Sequence, residues 1–455
     1  MGRAVRGPLA AMLVALALMG AGVASAATDV DAAVLTADVA FGDGITFRLE
    51  MPHPAAEPAG VEVRYGLPDG IVVRRSPAAV DLAGGVLRAT YAWEPRVPLV
   101  VGTEIEYRFA IRSGDGPETR TAPATVSYID ASLPWTTASE GLVEIWYHAG
   151  GEAIEADARA GIRAALDVLR QSYGAELERP TRLMLYADIE RMRRDLGGGA
   201  SPWVGGAAIA ELNVTVLYAP VENRDPLDLQ ATVAHEITHI VLEHRTENSF
   251  GGLPAWLHEG LATTVESTIA ERFPYDEIMT RVVARDEFVS LRGITGSFPA
   301  SGQAALNAYA QSNSLLGYII ETWGPEGVAR LLEAYAGGVS DNEAVQEALG
   351  VSLDELDRAW LGTYGVEHPT FASLTAPDVA AATSPPNDDA ATRPLPVSDL
   401  VAAALAVLAI AAGAVTLFRG RRPPVDPDLP KADTRWDGGA VPLGAPLGAA
   451  RGRRP

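Results

Sequence analysis

Asp225-Pro226-Leu227-Asp228, leading into Ala234-His235-Glu236-Ile237-Thr238-His239, is the stretch on which the reading of this chain turns. Asp225 is an N-cap residue, Pro226 has a φ preset for the first helical position, and Asp228 places a carboxylate at the positive end of the helix dipole. A helix therefore starts before the histidines. Residues four apart share a helix face, so His235 and His239 can offer imidazole nitrogens to one ion. Glu236, next to the first of them, then reaches the water that such an ion activates and can act as general base. Twenty positions after His239, past Gly251-Gly252 and a second proline-led start at Pro254, comes Trp256-Leu257-His258-Glu259-Gly260-Leu261-Ala262. A second helix packed beside the first would aim the Glu259 carboxylate at the open side of the two imidazoles. The result is a three-ligand zinc site with a fourth position left for water.

Together these two segments resemble the gluzincin zinc metallopeptidases, and Trp256-Leu257-x-Glu259-Gly260-Leu261-Ala262 is similar to the bacterial peptidase MA-like family in particular. The resemblance spans roughly residues 142 to 365. Metzincins carry Gly and His three and six positions after the second histidine, whereas Leu242 and Arg245 stand there in this chain. The resemblance implies one Zn2+ per chain held by His235, His239 and Glu259, with Glu236 deprotonating the water that attacks a peptide carbonyl. It also implies a downstream oxyanion donor, for which Tyr309 in Tyr309-Ala310-Gln311-Ser312 is the candidate. Four positions after Glu259, where thermolysin-like enzymes hold an Asp that orients a ligand imidazole, this chain has Thr263, and Glu266 on the next turn is the available substitute. His244 and His258 fit no ligand geometry and are read as surface or packing residues; His53, His148 and His368 are read as incidental.

Around this centre the chain divides by composition. Arg3 and Arg6 precede an apolar run from Leu9 to Val23 and then Ala24-Ser25-Ala26, the pattern of a cleaved signal peptide over residues 1–26. Residues 27–135 contain short apolar-alternating runs at 45–51, 61–65, 86–93, 104–111 and 124–129. Ile105, Tyr107, Phe109 and Ile111 share one face there, and Gly114-Asp115-Gly116 turns into the next strand. A small immunoglobulin- or fibronectin-like β-sandwich is expected, serving as a structural or spacing module, since no polar cluster in it points to chemistry. Its end, Tyr128-Ile129-Asp130 and Trp135, resembles the module that precedes such peptidases in some bacterial membrane proteins.

Residues 140–370 form the metallopeptidase domain in this reading. It has strands at 142–147 and 181–186, a helix over 153–173, and an edge strand at 208–218 to which an extended substrate could add through backbone bonds. Helices at 304–322, 326–336 and 354–364 close the core, with Trp323 and Trp360 packed inside. Residues 371–399 are rich in Ala, Pro, Thr and Asp and read as a flexible linker. Leu400 to Phe418 is an uncharged apolar run long enough to cross about 30 Å of hydrocarbon. Arg419, Arg421 and Arg422 follow it, which puts the tail, 419–455, in the cytoplasm and the rest outside. The expected fold class is thus α+β: an N-terminal β-sandwich, a thermolysin-like domain with a mixed sheet and active-site helices, and one C-terminal transmembrane helix.

The net charge of −22 is carried by the portion between leader and anchor, because the leader and the tail are both net basic. So acidic a surface repels phosphate backbones and excludes nucleic acid as a partner. No cysteine occurs, so neither disulfides nor thiolate ligands contribute, and a metal must use His and carboxylate. The expected activity is hydrolysis of extracytoplasmic peptide or protein by a single-pass membrane enzyme. The alternative is a non-catalytic zinc-stabilised binding or adhesion module that retains the peptidase fold. An intramembrane protease is excluded because Asp225, Asp228, Glu243, His244 and Arg245 flank the motif.

Overall fold

A computed structural model describes residues 30–366, apart from 55–56, 69, 71–72, 113–117, 197–204, 249, 271, 297 and 299–301. The leader, the linker, the apolar run at 400–418, the tail, His368 and the turn at Gly114-Asp115-Gly116 lie outside the described residues. Among the described residues no helix is long and apolar enough to cross a membrane. The described chain is mixed α/β and divides into two compact units.

The first unit holds strands β1 (Val34–Ala40), β2 (Gly44–Pro52), β3 (Gly60–Gly66), β4 (Arg74–Pro77), β5 (Ala79–Ala83), β6 (Val86–Trp93), β7 (Glu104–Arg112), β8 (Glu118–Arg120) and β9 (Ala124–Ser127). They form two antiparallel sheets, ordered β1-β2-β6-β5 and β4-β3-β7-β8, with β9 paired to β7. Period-two alternation sends Ile105, Tyr107, Phe109 and Ile111 to the interior, all at most 3% exposed. The two sheets meet where the Phe47 ring lies 5.3 Å from Tyr65 and 4.8 Å from Tyr107.

The second unit is built on a five-stranded mixed sheet. Its strands are β10 (Thr136–Glu140), β11 (Val143–Tyr147), β12 (Thr181–Tyr186), β13 (Gly206–Ile209) and β14 (Val214–Tyr218), in the order β10-β11-β12-β14-β13. The three central strands are parallel and both edges antiparallel. The segment 208–218, expected as one strand, is instead a reversal. β13 runs into a 3-10 turn at Ala210–Leu212, and Asn213 takes a left-handed conformation with φ 53° before β14 returns. Asn tolerates this region better than other non-glycine residues, and it ends the first strand here.

Helices α1 (Gly151–Tyr173), α3 (Pro226–Thr246) and α4 (Ala255–Ser267) share one core with the sheet face of Val143, Ile145, Leu183, Leu185 and Leu217. A short α2 (Ile189–Asp195) supplies Met192 to a second cluster with Met184, Tyr186 and Val216. Helices α5 (Tyr275–Arg285), α6 (Gly302–Ala336), α7 (Asp341–Leu349) and α8 (Leu353–Gly362) complete the main core. α6 is interrupted at Gly324, whose φ of 72° and following Pro325 separate it near the boundary read from sequence.

Two glycines set how closely the helices approach. A Cβ on Gly161 of α1 would stand 2.4 Å from the Gln230 carbonyl oxygen of α3. A Cβ on Gly260 of α4 would stand 2.8 Å from the Ser312 carbonyl oxygen of α6.

Candidate active site

α3 begins as its sequence dictates: the Asp225 carboxylate accepts from the Leu227 N–H at 2.9 Å, and Pro226 occupies the first turn. The helix is buried on most sides, with Ala234, Ile237 and Ile240 inaccessible, so its polar residues sit in a largely dry environment. His235 and His239 stand one turn apart with ring centroids 4.8 Å from each other. α4 brings Glu259 to them, its Oε2 lying 3.5 Å from His235 Nε2 and 3.4 Å from His239 Nε2. One ligand atom from each of the three residues fits within 4.8 Å of the others.

The donor set suits a divalent cation. Glu259 Oε2 is buried and receives no hydrogen bond among the described residues. Two imidazole nitrogens and a carboxylate oxygen converging on one point are lone-pair donors, and two imidazoles with one carboxylate is a common open-site zinc ligand set. Burial alone would depress the His235 pKa, but Glu266, Glu259 and Glu236 outweigh it and hold it well above the ordinary imidazole value. Burial likewise pushes the Glu259 carboxyl up, yet His239 and His235 together hold it far below the usual carboxylate range. The carboxylates of Glu236, Glu259 and Glu266, offset in part by Arg272 beside Glu266, leave a surplus of negative charge that a cation neutralises.

Glu266, two turns beyond Glu259, takes the orienting position. It is 1% exposed, and its Oε2 lies 2.7 Å from His235 Nδ1. Its Oε1 accepts from the Tyr275 hydroxyl at 2.9 Å, and Arg272 lies 3.7 Å away. Thr263 does not do this work: its hydroxyl donates to the Gly260 carbonyl and accepts from Asn313. A carboxylate fixed by two further groups locks the imidazole so that Nε2 faces the site. Glu266→Gln is expected to weaken divalent-cation binding at the His235, His239 and Glu259 group about 10- to 100-fold, measured by competition with a chromophoric chelator. Unchanged affinity would remove Glu266 from this role.

The His239 ring stacks on His258 with centroids 4.3 Å apart and planes at 16°. Burial first, then the neighbouring His239, lowers the His258 pKa to about 3, which keeps it a neutral packing surface for the ligand ring. His244 Nε2 lies 2.6 Å from Asn213 Oδ1 at the β13–β14 reversal, and His148 Nε2 accepts from the Ala187 N–H. Both are structural.

Glu236 lies beside Gly206 of β13. Burial raises its pKa, and Glu259 adds to the rise against the pull of His235 and His239, which moves it toward the range useful to a general base. Tyr309, on α6, sits against Phe298 with ring centroids 5.0 Å apart. Burial, then the charges of Glu259, Glu236 and Glu266, raise its pKa well above 10, so its hydroxyl keeps its proton. The structure therefore brings His235, Glu236, His239, Glu259 and Tyr309 within electrostatic reach of one another. Sequence reasoning missed Tyr275 and Arg272 and gave His258 no place beside the ligands. No local signal marks the first two, which follow the end of α4.

β13 is the open edge beside Glu236. A Cβ on Gly206 would stand 3.1 Å from Glu236 Oε1. Gly205 accepts from the Tyr218 N–H, so residues 207 and 209 turn their backbone groups to β14, and Gly206 and Ala208 turn theirs outward. Val216, read from sequence as part of the edge, is instead an interior position, fully buried and paired with both Met184 and Ala207.

A family model described as the peptidase MA superfamily matches residues 161–364. No curated protein matches the chain. Among solved structures it is similar to Legionella pneumophila aminopeptidase A in complex with aspartic acid, at 10% identity and a TM-score of 0.35 over 74% of this chain and 49% of that one. It is also similar to an aminopeptidase N family protein from Idiomarina loihiensis, at 8% identity and a TM-score of 0.35 over 71% and 75%. The chain spans about half the length of the Legionella enzyme. The segment that matches the peptidase MA superfamily, 161–364, is less than half of the chain and carries His235, Glu236, His239 and Glu259 together.

Proposed function

We propose that this chain is a zinc-dependent peptidase acting on extracytoplasmic polypeptide, anchored by the apolar run at 400–418 with its tail in the cytoplasm. The observation that carries the proposal is the half-buried Glu236 carboxylate, which lies beside Gly206 of the open β13 edge and within electrostatic reach of His235, His239 and Glu259. A purely structural zinc site closes its fourth position with protein and has no use for such a base. His235, His239 and Glu259 would hold the ion. Zinc bound there supplies Lewis-acid polarisation of a peptide carbonyl and makes water a nucleophile near neutral pH. Glu236 takes the proton from the attacking water and passes it to the departing amine nitrogen. The Tyr309 hydroxyl donates to the carbonyl oxygen as that oxygen gains charge. The outward N–H and C=O groups of Gly206 and Ala208 hold the substrate backbone extended beside Glu236.

The test uses the full chain in detergent. One zinc per chain is expected, with cleavage of an unfolded protein that stops on chelation and returns with added zinc. A fully zinc-loaded chain that cleaves none of a varied set of unfolded proteins and peptides would exclude the peptidase reading in favour of a zinc-stabilised binding module. Ala208→Pro removes one outward N–H without touching the β14 ladder. It is expected to raise KM for peptides about three- to tenfold, the worth of one hydrogen bond, with zinc content unchanged. Zinc loss in this variant would mean that β13 supports the metal site rather than the substrate.

A further inference from the structure

The outer face of the β4-β3-β7-β8 sheet carries a row of arginines that folding alone does not explain. Arg64 of β3 is directly opposite Arg75 of β4 on one side and Arg108 of β7 on the other. Like charges directly opposite each other across strands are destabilising. The three line an open cavity of about 420 Å³ together with Arg120, Tyr65 and Glu106. Among the described residues, Glu106, 2.5 Å from Arg108, is the one acid that lines it; Glu118, which pairs with Arg64 at 2.6 Å and Arg120 at 2.8 Å, does not. Two of the arginines keep unused donors. Arg64 is only 8% exposed, yet its Nε has no hydrogen-bond partner. Arg75 is exposed and has no ion pair or hydrogen bond among the described residues. All this occurs in a chain of net charge −22, where a locally positive concavity is the exception.

We propose that this cavity binds a small polyanion bearing two or more carboxylate or phosphate groups. Guanidinium forks match the planar geometry of carboxylate and the oxygen spacing of phosphate, and the cationic row spaces several of them for more than one such group. The volume lies in the range of small-molecule sites and exceeds what a single inorganic ion fills. The repulsion between opposed arginines is then relieved by the ligand.

Calorimetric titration of the full chain at low ionic strength with inorganic phosphate, pyrophosphate and citrate tests this. Pyrophosphate or citrate is expected to bind one to one, at least tenfold more tightly than phosphate. Arg75→Gln should weaken that binding at least tenfold while leaving peptide hydrolysis unchanged. Without ligand the variant should unfold at the same temperature as the wild type or higher, because a repulsion has been removed. Failure of both polyanions to bind, binding at many sites per chain, or equal affinity in Arg75→Gln would overturn the proposal. So would stronger binding of a polyglutamate peptide than of either small anion, which would mark a macromolecular partner instead.

Discussion

Replacing Glu236 by Gln is expected to cut peptide hydrolysis by about 10²- to 10⁴-fold, the contribution of a positioned general base, while zinc stays bound. Gln has the shape of Glu and keeps the packing beside Gly206, but its amide cannot accept the proton of the attacking water. Stability should not fall, because the variant removes the cost of burying a carboxylate whose pKa burial already raises. The check is kcat/KM on fluorogenic peptides together with zinc content of the same preparation. Equal rates would strip Glu236 of its role. Loss of the bound zinc would make it a ligand, contrary to the grouping of His235, His239 and Glu259 without it.

Trp360→Ala should have the largest effect on stability, costing about 3–5 kcal/mol as for other buried aromatic-to-alanine changes. Trp360 is inaccessible to solvent, and its Nε1–H donates to Ser314 Oγ at 3.0 Å. Its ring meets Phe288 and Tyr364 edge-on at 6.2 and 6.4 Å, and Ser314 is in turn 2.5 Å from the Tyr364 hydroxyl. Removing the indole leaves a cavity between α6 and α8 and a serine without one of its partners. For a unit of this size the loss corresponds to a fall in Tm of roughly 10 °C. Thermal unfolding of the zinc-loaded chain measures it, and activity well below the transition should persist, since the ring is remote in role from the chemistry. A change under about 1 kcal/mol would mean that α8 does not close the core.

What could be read from sequence was local. The N-cap Asp225, Pro226 and the four-residue spacing of the histidines define α3 within fifteen positions, and Glu259 follows because a second helix start is visible at Pro254. Glu266 was reachable because seven residues are two helical turns, which returns it to the face of Glu259. β7 announced its buried face by strict alternation. Tyr309 could be singled out only through the family resemblance, since fifty positions of chain separate it from Glu259. The break at Asn213 was missed because 206–209 and 214–218 are both apolar and β-prone, and propensity does not record where a strand turns back. The arginine row was invisible for a related reason. Arg64, Arg75 and Arg108 are scattered in sequence and become neighbours only through strand register, which depends on pairings across the whole sheet. The β unit consequently read as lacking any polar cluster.

The glycines at 161 and 260 carry a further consequence. Each lets a helix bearing site residues touch a neighbour backbone to backbone, α3 through Gln230 and α4 through Ser312. Backbone atoms have no rotamers, so the spacing of α3 from α1 and of α4 from α6 is set by parts that cannot relax. A metal site and its base work only within about half an ångström of their proper geometry. In this protein that tolerance is kept by two missing methyl groups, and it would be lost through changes that alter no charge, no ligand and no hydrogen bond.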